Sequence, residues 1–193
     1  MDRWAAFHSM VLRGEPAPAD LRHLFDAHGS SDDPLAALGV RFIDPDNLPV
    51  LLSHSNLTDQ DRANADIMSN VAAINDVFAM SVPVAELDDG EIVGFWRGPE
   101  NTPLDQCAIF EFDTEGQFAL LGGVTFSEAL LGRCLRYDRS AYDRVRAAFS
   151  KVGIVISTAG PDDLREPIAG SDPRVIHRQN YNRHRAGHGL PPV

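Results

Sequence analysis

Cysteine and long apolar runs are scarce in this chain of 193 residues. Its two cysteines, Cys107 and Cys134, lie far apart and form no CxxC or other ligand spacing, so no zinc ribbon or disulfide framework is indicated. We expect two reduced, half-buried thiols, with a disulfide between them as the alternative. No apolar run reaches the roughly 18 to 20 residues that a membrane helix needs, so the sequence predicts no membrane span.

The first residues, MDRWAAFHSM, do not have the pattern of a secretory signal. His8 and Ser9 interrupt the apolar stretch, and Asp2 is acidic where a signal is basic. We interpret the segment as an amphipathic helix capped by Asp2, and we expect a soluble, cytoplasmic protein.

Motifs for catalysis and cofactor binding are also missing. The sequence contains no P-loop, GxGxxG, GxSxG or HExxH pattern. His184 and His188 have the spacing that places two imidazoles on one helix face, with His177 further back, but glycines beside His188 disfavour that helix. Paired carboxylates such as Asp88–Asp89 lie in predicted turns, where acids cap and remain hydrated. We therefore expect no catalytic residue, no metal site and no cofactor.

Acidic side chains are abundant but unevenly spread, and the formal net charge is −11. From Arg174 onward there are four arginines, three histidines and no acid, so the first 173 residues hold 13 basic and 28 acidic side chains, a net charge of −15. Such a body repels nucleic acid and anionic membranes and attracts basic partners. The alternative is that the acidity serves solubility alone.

Apolar residues at helical spacing indicate helices in the first 80 residues. In the longest of them Thr58 is the predicted N-cap, and Asp61 stands where a capping box places a carboxylate. Its apolar stripe consists of Ile67, Val71, Ile74 and Phe78. We interpret this stripe as a core-facing surface.

The pattern then changes to period 2. Four predicted strands follow, at Val82–Leu87, Ile92–Trp96, Cys107–Asp113 and Gln117–Leu121. The Asp-Asp-Gly and Thr-Glu-Gly turns between them are typical of hairpins. We predict an α+β fold, an antiparallel meander of four to six strands with helices packed mainly on one face. The domain is placed at residues 1–160, and residues 161–193 are expected to form a loosely packed basic tail. The part of this tail from about Arg174 is expected to be dispensable for folding.

Residues 82–131 resemble the core of the SUKH superfamily, which is named for fungal cell-wall synthesis regulators and their bacterial relatives. The residues that carry the resemblance are Gly90, Val93–Trp96, Phe110–Asp113, Gly116, Phe118 and Phe126–Leu131. The resemblance implies a compact α+β domain without catalytic residues. Most bacterial members resemble immunity proteins, which bind and neutralise a toxin domain that is often a nuclease. An acidic protein suits the basic cleft of a nuclease by charge complementarity.

The charge and the resemblance together predict a non-catalytic protein-binding domain with a basic partner and with neither nucleic acid nor membrane as its target. The resemblance implies that this partner is a toxin domain. The predicted partner-binding residues are Asp88, Asp89, Glu91, Trp96, Asp113 and Glu115. The first and third turns of a meander fall at the same end of the sheet, so their carboxylates can converge. Trp96 has two interpretations, packing under the first helices or lying at the rim of the partner surface.

A second class of function stays open, a small-molecule-binding or hydrolytic domain whose site residues are scattered in the sequence. A pocket lined by carboxylates of shifted pKa or by His54 would favour it, whereas a smooth acidic surface would favour the binding protein. The sequence does not identify the partner, the oligomeric state or the role of the tail.

Overall fold

A computed structural model describes residues 2–136 and 138–193, in which eight α-helices flank a five-stranded antiparallel sheet. The helices are α1 (Arg3–Met10), α2 (Ala19–Ala27), α3 (Val50–Ser53), α4 (Asp59–Ala63), α5 (Ala65–Ala79), α6 (Phe126–Cys134), α7 (Arg139–Lys151) and α8 (Pro173–Gly187). The strands are β1 (Val40–Phe42), β2 (Ser81–Leu87), β3 (Ile92–Trp96), β4 (Ala108–Phe112) and β5 (Phe118–Leu121). Neighbouring strands follow chain order. The predicted α+β class and antiparallel meander are confirmed.

The central hairpin of the sheet, β2 with β3, contains a bulge between Pro83 and Ala85. At this point β3 has Gly94, where an added Cβ would lie 2.2 Å from the carbonyl oxygen of Val82. Only glycine lets the two backbones approach so closely, which explains the glycine in the IVGFW segment. The short strand β1, which the sequence pattern did not indicate, pairs with the outer edge of β2.

Alternation along the strands divides the core into two clusters, one on each face of the sheet. Val93, Phe95 and Ile109 belong to the first cluster, together with buried side chains of α1, α2, α6 and α7. Phe110 and Phe112 belong to the second cluster, which α5 and α8 cover. More helices lie on the first face, but the second face is covered as well.

A buried carboxylate anchors α6 on the first face. Glu128 is 2% exposed, and its Oε2 accepts a hydrogen bond from the Val124 N–H at 3.1 Å. Its Oε1 accepts from the N–H of Ser157 at 3.1 Å and from the Ser157 hydroxyl at 2.7 Å. Glu128 therefore joins the loop before α6 to the extended segment after α7.

The long helix predicted from Thr58 onward consists of two helices. Thr58 and Asp61 form the predicted capping box, but it caps the short α4. Asn64 then leaves the helical conformation, and its side chain accepts hydrogen bonds from the N–H groups of Asp66 and Ile67 to start α5. An Asn that bonds the backbone locally competes with a continuous helix, which is why the chain breaks here.

The prediction of a loosely packed tail over residues 161–193 is wrong, because α8 packs along α5 and against β5. Ile176 contacts the second core cluster. Arg185 is 8% exposed and forms an ion pair with Asp66 of α5. The Tyr181 hydroxyl donates to the same carboxylate at 2.7 Å. The basic composition that suggested a solvated tail is what attaches this helix to an acidic neighbour.

Candidate partner-binding surface

The two acidic turns lie side by side at one end of the sheet. β3 pairs antiparallel with β4, and Ile92 stands opposite Phe112, so the turn before β3 and the turn after β4 are neighbours. A Cβ built on Gly90 would lie 3.8 Å from the methyl group of Thr114. The predicted meeting of the first and third turns of the meander at one end is therefore observed.

The turn between β2 and β3 presents Asp88 and Asp89 to solvent. Gly90 adopts a φ of +90°, which glycine reaches without strain, and its N–H donates to the Leu87 carbonyl oxygen at 2.8 Å. The Asp89 carboxylate accepts a hydrogen bond from the Glu91 N–H at 3.3 Å. The side chain of Asp88 is 80% exposed. The turn thus holds both carboxylates on a fixed backbone and leaves them hydrated.

In the turn between β4 and β5, Asp113 and Glu115 have different roles. One oxygen of the half-buried Asp113 accepts hydrogen bonds from the N–H groups of Glu115 at 3.0 Å and Gln117 at 2.8 Å. Glu115 is exposed, and its carboxylate accepts a hydrogen bond from the Gln117 side-chain amide at 3.2 Å. Asp113 therefore fixes the turn, and Glu115 is the carboxylate that a partner can reach.

Glu91 does not belong to the exposed surface predicted for it. Its side chain is 14% exposed and forms an ion pair with Arg133 of α6, which also pairs with Glu111 of β4. Burial raises the pKa of the Glu91 carboxyl above its ordinary value, against the opposing effect of Arg133. The arginine follows Glu91 by 42 residues, so no local sequence signal reveals the pair.

The prediction that Trp96 lies at the rim of a partner surface is wrong, whereas the alternative, packing under the first helices, is right about burial but not about which helices cover the side chain. Trp96 is 2% exposed and belongs to the second core cluster, away from the first helices. Its indole N–H donates to the carbonyl oxygen of Ser171 at 2.8 Å, in the segment before α8. Trp96 therefore fixes the C-terminal segment to the sheet.

Three exposed carboxylates remain, and we name Asp88, Asp89 and Glu115 the acidic end of the sheet. Arg41 of β1 lies beside them, but its guanidinium donates to Glu86 at 2.8 Å and is 3.9 Å from Asp88. An exposed pair at that distance contributes little in water, so the acidic end keeps its negative potential. Arg41 and Arg133 are the residues that sequence reasoning missed here, since only strand pairing and helix packing bring them to this end.

Both cysteines are free and half-buried, as predicted. The Cys107 thiol donates to the Thr102 carbonyl oxygen at 3.3 Å. Burial raises the pKa of Cys107 to about 12 and that of Cys134 to about 11. The thiolate is the nucleophilic form, so at neutral pH neither side chain is activated for attack.

His184 lies on a helix, α8, but that helix ends at Gly187 and His188 follows it, so the glycines beside His188 do mark the end of the helix. The Nε2 atom of His184 is 2.7 Å from a carboxylate oxygen of Asp76, so this imidazole serves helix packing. In residues 2–136 and 138–193, no group of three or more His, Cys, Asp or Glu side chains is arranged to hold a metal ion.

His54, the predicted marker of a small-molecule site, follows α3. Its φ is +51°, and its Nε2 atom is 2.9 Å from the side-chain oxygen of Asn75 on α5. The imidazole thus ties the α3 turn to α5.

No protein-family model, curated protein or solved structure matches this chain. Across the described residues no helix combines the length and the apolar character that crossing a membrane requires. The resemblance to the SUKH superfamily therefore depends on the motifs of residues 82–131 alone.

Proposed function

We propose that this protein is a non-catalytic binding domain whose acidic end associates with a basic protein partner. The observation that carries the proposal is the pair of adjacent turns in which Asp88, Asp89 and Glu115 are exposed on a backbone fixed by hydrogen bonds. Carboxylates held in this way need little ordering when a partner arrives. Their combined field raises the rate of encounter with a positively charged surface.

Within this proposal, the partner is a cognate bacterial toxin domain, and the protein is an immunity protein that neutralises it in the cytoplasm. The resemblance of residues 82–131 to SUKH proteins supports this assignment, and so does the net charge of −11. A nuclease toxin has a basic cleft for phosphates, which matches an acidic surface in charge.

The test uses a candidate partner chosen by gene position. A gene directly upstream that encodes a large secreted protein with a variable C-terminal domain supplies that domain, produced in an inactive form. Association is followed by stopped-flow fluorescence at low and high salt. We expect Asp88, Asp89 and Glu115 changed together to lysine to lower the low-salt association rate at least about tenfold and to flatten its salt dependence.

The matched control changes three exposed acids outside the acidic end, Asp46, Asp59 and Asp162, to lysine, with the same change in net charge. We expect a much smaller effect on the rate. An equal loss in both variants would show that net charge alone steers association. An unchanged rate in the first variant would show that another surface binds.

A further inference from the structure

A concave cavity of about 460 Å³ lies at the other end of the sheet, on the first face. Phe95 of β3 and Ile109 of β4, which stand opposite each other, form part of its wall. The start of α2, the start of α6 and the loop 153–155 complete it. Its volume is in the range of small-molecule sites. Five separate segments build it, so the linear sequence does not reveal it.

The lining is mainly apolar, from the wall to the mouth. Phe95, Ile109 and Phe126 are buried in the wall. At the mouth, Val124 is 55% exposed and Val155 is 83% exposed. Large aliphatic side chains left in water around a concave apolar site are favourable contacts for a ligand, because binding removes their surface from water.

The charges around this cavity have one dominant sign. Among the described residues that line it, Asp20, Asp105 and His23 are the ionisable side chains besides Cys107, and neither lysine nor arginine is present. One oxygen of Asp20 accepts from the N–H of Ser127 at 2.8 Å and from its hydroxyl at 2.9 Å, which fixes this carboxylate.

Asp105 is exposed on the short 3₁₀ turn Leu104–Gln106. Burial is the main cause of the raised pKa of the neighbouring Cys107 thiol; Arg97 opposes it, and the carboxylates of Glu15 and Asp105 add to it. Two carboxylates beside an apolar wall favour a ligand that combines an apolar body with a positive charge and disfavour an anion. Because the thiol stays protonated at neutral pH, the cavity is suited to binding rather than to covalent chemistry.

We propose that this cavity binds a small hydrophobic amine. The apolar body lies against Phe95 and Ile109, and the ammonium group is at the mouth, near Asp105 and the free oxygen of Asp20. This site is separate from the acidic end and does not depend on the proposed function.

The test compares three molecules of one shape and different charge, namely 2-phenylethylamine, 2-phenylethanol and 3-phenylpropanoate. Each is titrated to about 10 mM, enough to detect a millimolar Kd, into ¹⁵N-labelled full-length protein. We expect the amine to bind most tightly and the anion most weakly, with chemical-shift changes concentrated at the amides of Val124, Gly153 and Val155. No change at these amides, or equal affinity for all three molecules, would overturn the proposal.

Two exposed positions, one at the mouth and one outside the cavity, permit matched variants that leave the core intact. Val155→Lys puts a positive charge at the mouth and should weaken amine binding about fivefold or more, since it opposes the ligand charge. Ile168→Lys, at a side chain that is 88% exposed and outside this cavity, should leave the affinity unchanged. Equal effects of the two variants would contradict the assigned site.

Asp105→Asn separates the charge argument from the apolar one. We expect it to remove most of the preference for the amine over the alcohol and to leave alcohol binding unchanged. Asp162→Asn, at an exposed acid elsewhere, is the control. A preference that survives Asp105→Asn in full would contradict the role assigned to this carboxylate. Neither variant alters Asp88, Asp89 or Glu115, so failure here leaves the proposed partner surface to its own test.

Discussion

Glu128 is a single side chain whose two oxygens bond two distant segments, the Val124 backbone and Ser157. In Glu128→Gln, an amide nitrogen that donates replaces one of the accepting oxygens. The part-buried backbone N–H of Val124 or of Ser157 then loses its acceptor. We expect the free energy of unfolding to fall by about 1 to 3 kcal/mol, the usual cost of an unsatisfied buried donor. Urea unfolding followed by circular dichroism measures it.

Glu166→Gln is the control for that substitution, because Glu166 is exposed. Its unfolding free energy should stay within about 0.5 kcal/mol of the parent, as for most surface substitutions. If the two variants have the same stability, the hydrogen bonds of Glu128 do not hold these segments together.

The candidate surface was only partly predictable at the level of single residues. The turns at Asp88–Asp89 and Asp113 follow from local chemistry, because glycine and aspartate specify tight turns wherever they occur. The exposure of each carboxylate cannot be predicted from the turn sequence, because it depends on residues that are distant in the sequence. Glu91 is covered by Arg133, and nothing within a few residues of Glu91 indicates that arginine.

At the level of elements, α8 is the main departure from the sequence prediction. Removal of everything after Asp172 takes away the cover of α5 and the contacts of Ile176. We expect the melting temperature to fall by about 10 °C or more, because the loss of this packing lowers the free energy of unfolding. At this chain length each kcal/mol of unfolding free energy corresponds to roughly 2 to 4 °C. Calorimetry measures it, and a red shift of the emission of Trp96, which bonds Ser171, should accompany it.

Two substitutions on α8 distinguish packing from a general effect of truncation. Arg185→Ala removes a buried guanidinium that pairs with Asp66 and should be clearly destabilising, whereas Arg178→Ala, at an exposed position, should be nearly neutral. A truncated protein that melts at the parent temperature would mean that α8 contributes no stability.

His177 makes the packing of α8 sensitive to pH. Burial lowers the pKa of this imidazole, which bonds Asn70 and contacts the rings of Phe118 and Tyr181. The Tyr181 hydroxyl in turn bonds Asp66, which is paired with Arg185. The unfolded chain then binds the proton more tightly than the folded one. The contribution of the neutral, buried His177 to the free energy of unfolding is complete above the imidazole pKa of the unfolded chain, about 6.5. It is lost as the pH falls below that value.

The measurement is urea unfolding of the parent and of His177→Gln at pH 7.5 and 5.5. These are about one pH unit on either side of the unfolded imidazole pKa. The parent should lose more stability than the variant between the two conditions. His188→Gln, at an exposed histidine near the end of the same helix, should behave like the parent. Identical pH dependence in parent and His177→Gln would exclude this imidazole as the cause.

The sequence of α8 could not reveal its packing, for a physical reason. Its apolar positions are few, and Ile176 is the one that reaches the second core cluster. The helix is held mainly by polar contacts with Asp66 and Asp76, which lie more than 100 residues earlier. An amphipathic helix is predicted from apolar residues that recur at helical spacing, and α8 has too few apolar residues to form such a stripe.

For the whole molecule, the meander was predictable from its two hairpins, in which short turns join β2 to β3 and β4 to β5. The arrangement of helices was less predictable, since the second face is completed by α5 and α8 from distant parts of the chain. The charge asymmetry between body and tail was visible in the sequence. Its structural meaning was not visible, because two acidic residues that seemed free for a partner, Asp66 and Asp76, form ion pairs with arginines of α8.

The late position of α8 has a consequence for synthesis on the ribosome. The last strand of the sheet ends at Leu121, while the helix that completes the cover of Phe118 and Trp96 ends at Gly187. At 5 to 20 residues per second, translation of the intervening chain takes roughly 3 to 13 seconds. During that interval an aromatic sheet face is only partly shielded in the nascent chain. We expect chaperones that bind exposed apolar surface to act on this protein in that window, and ribosomes stalled between these two points to carry an aggregation-prone product.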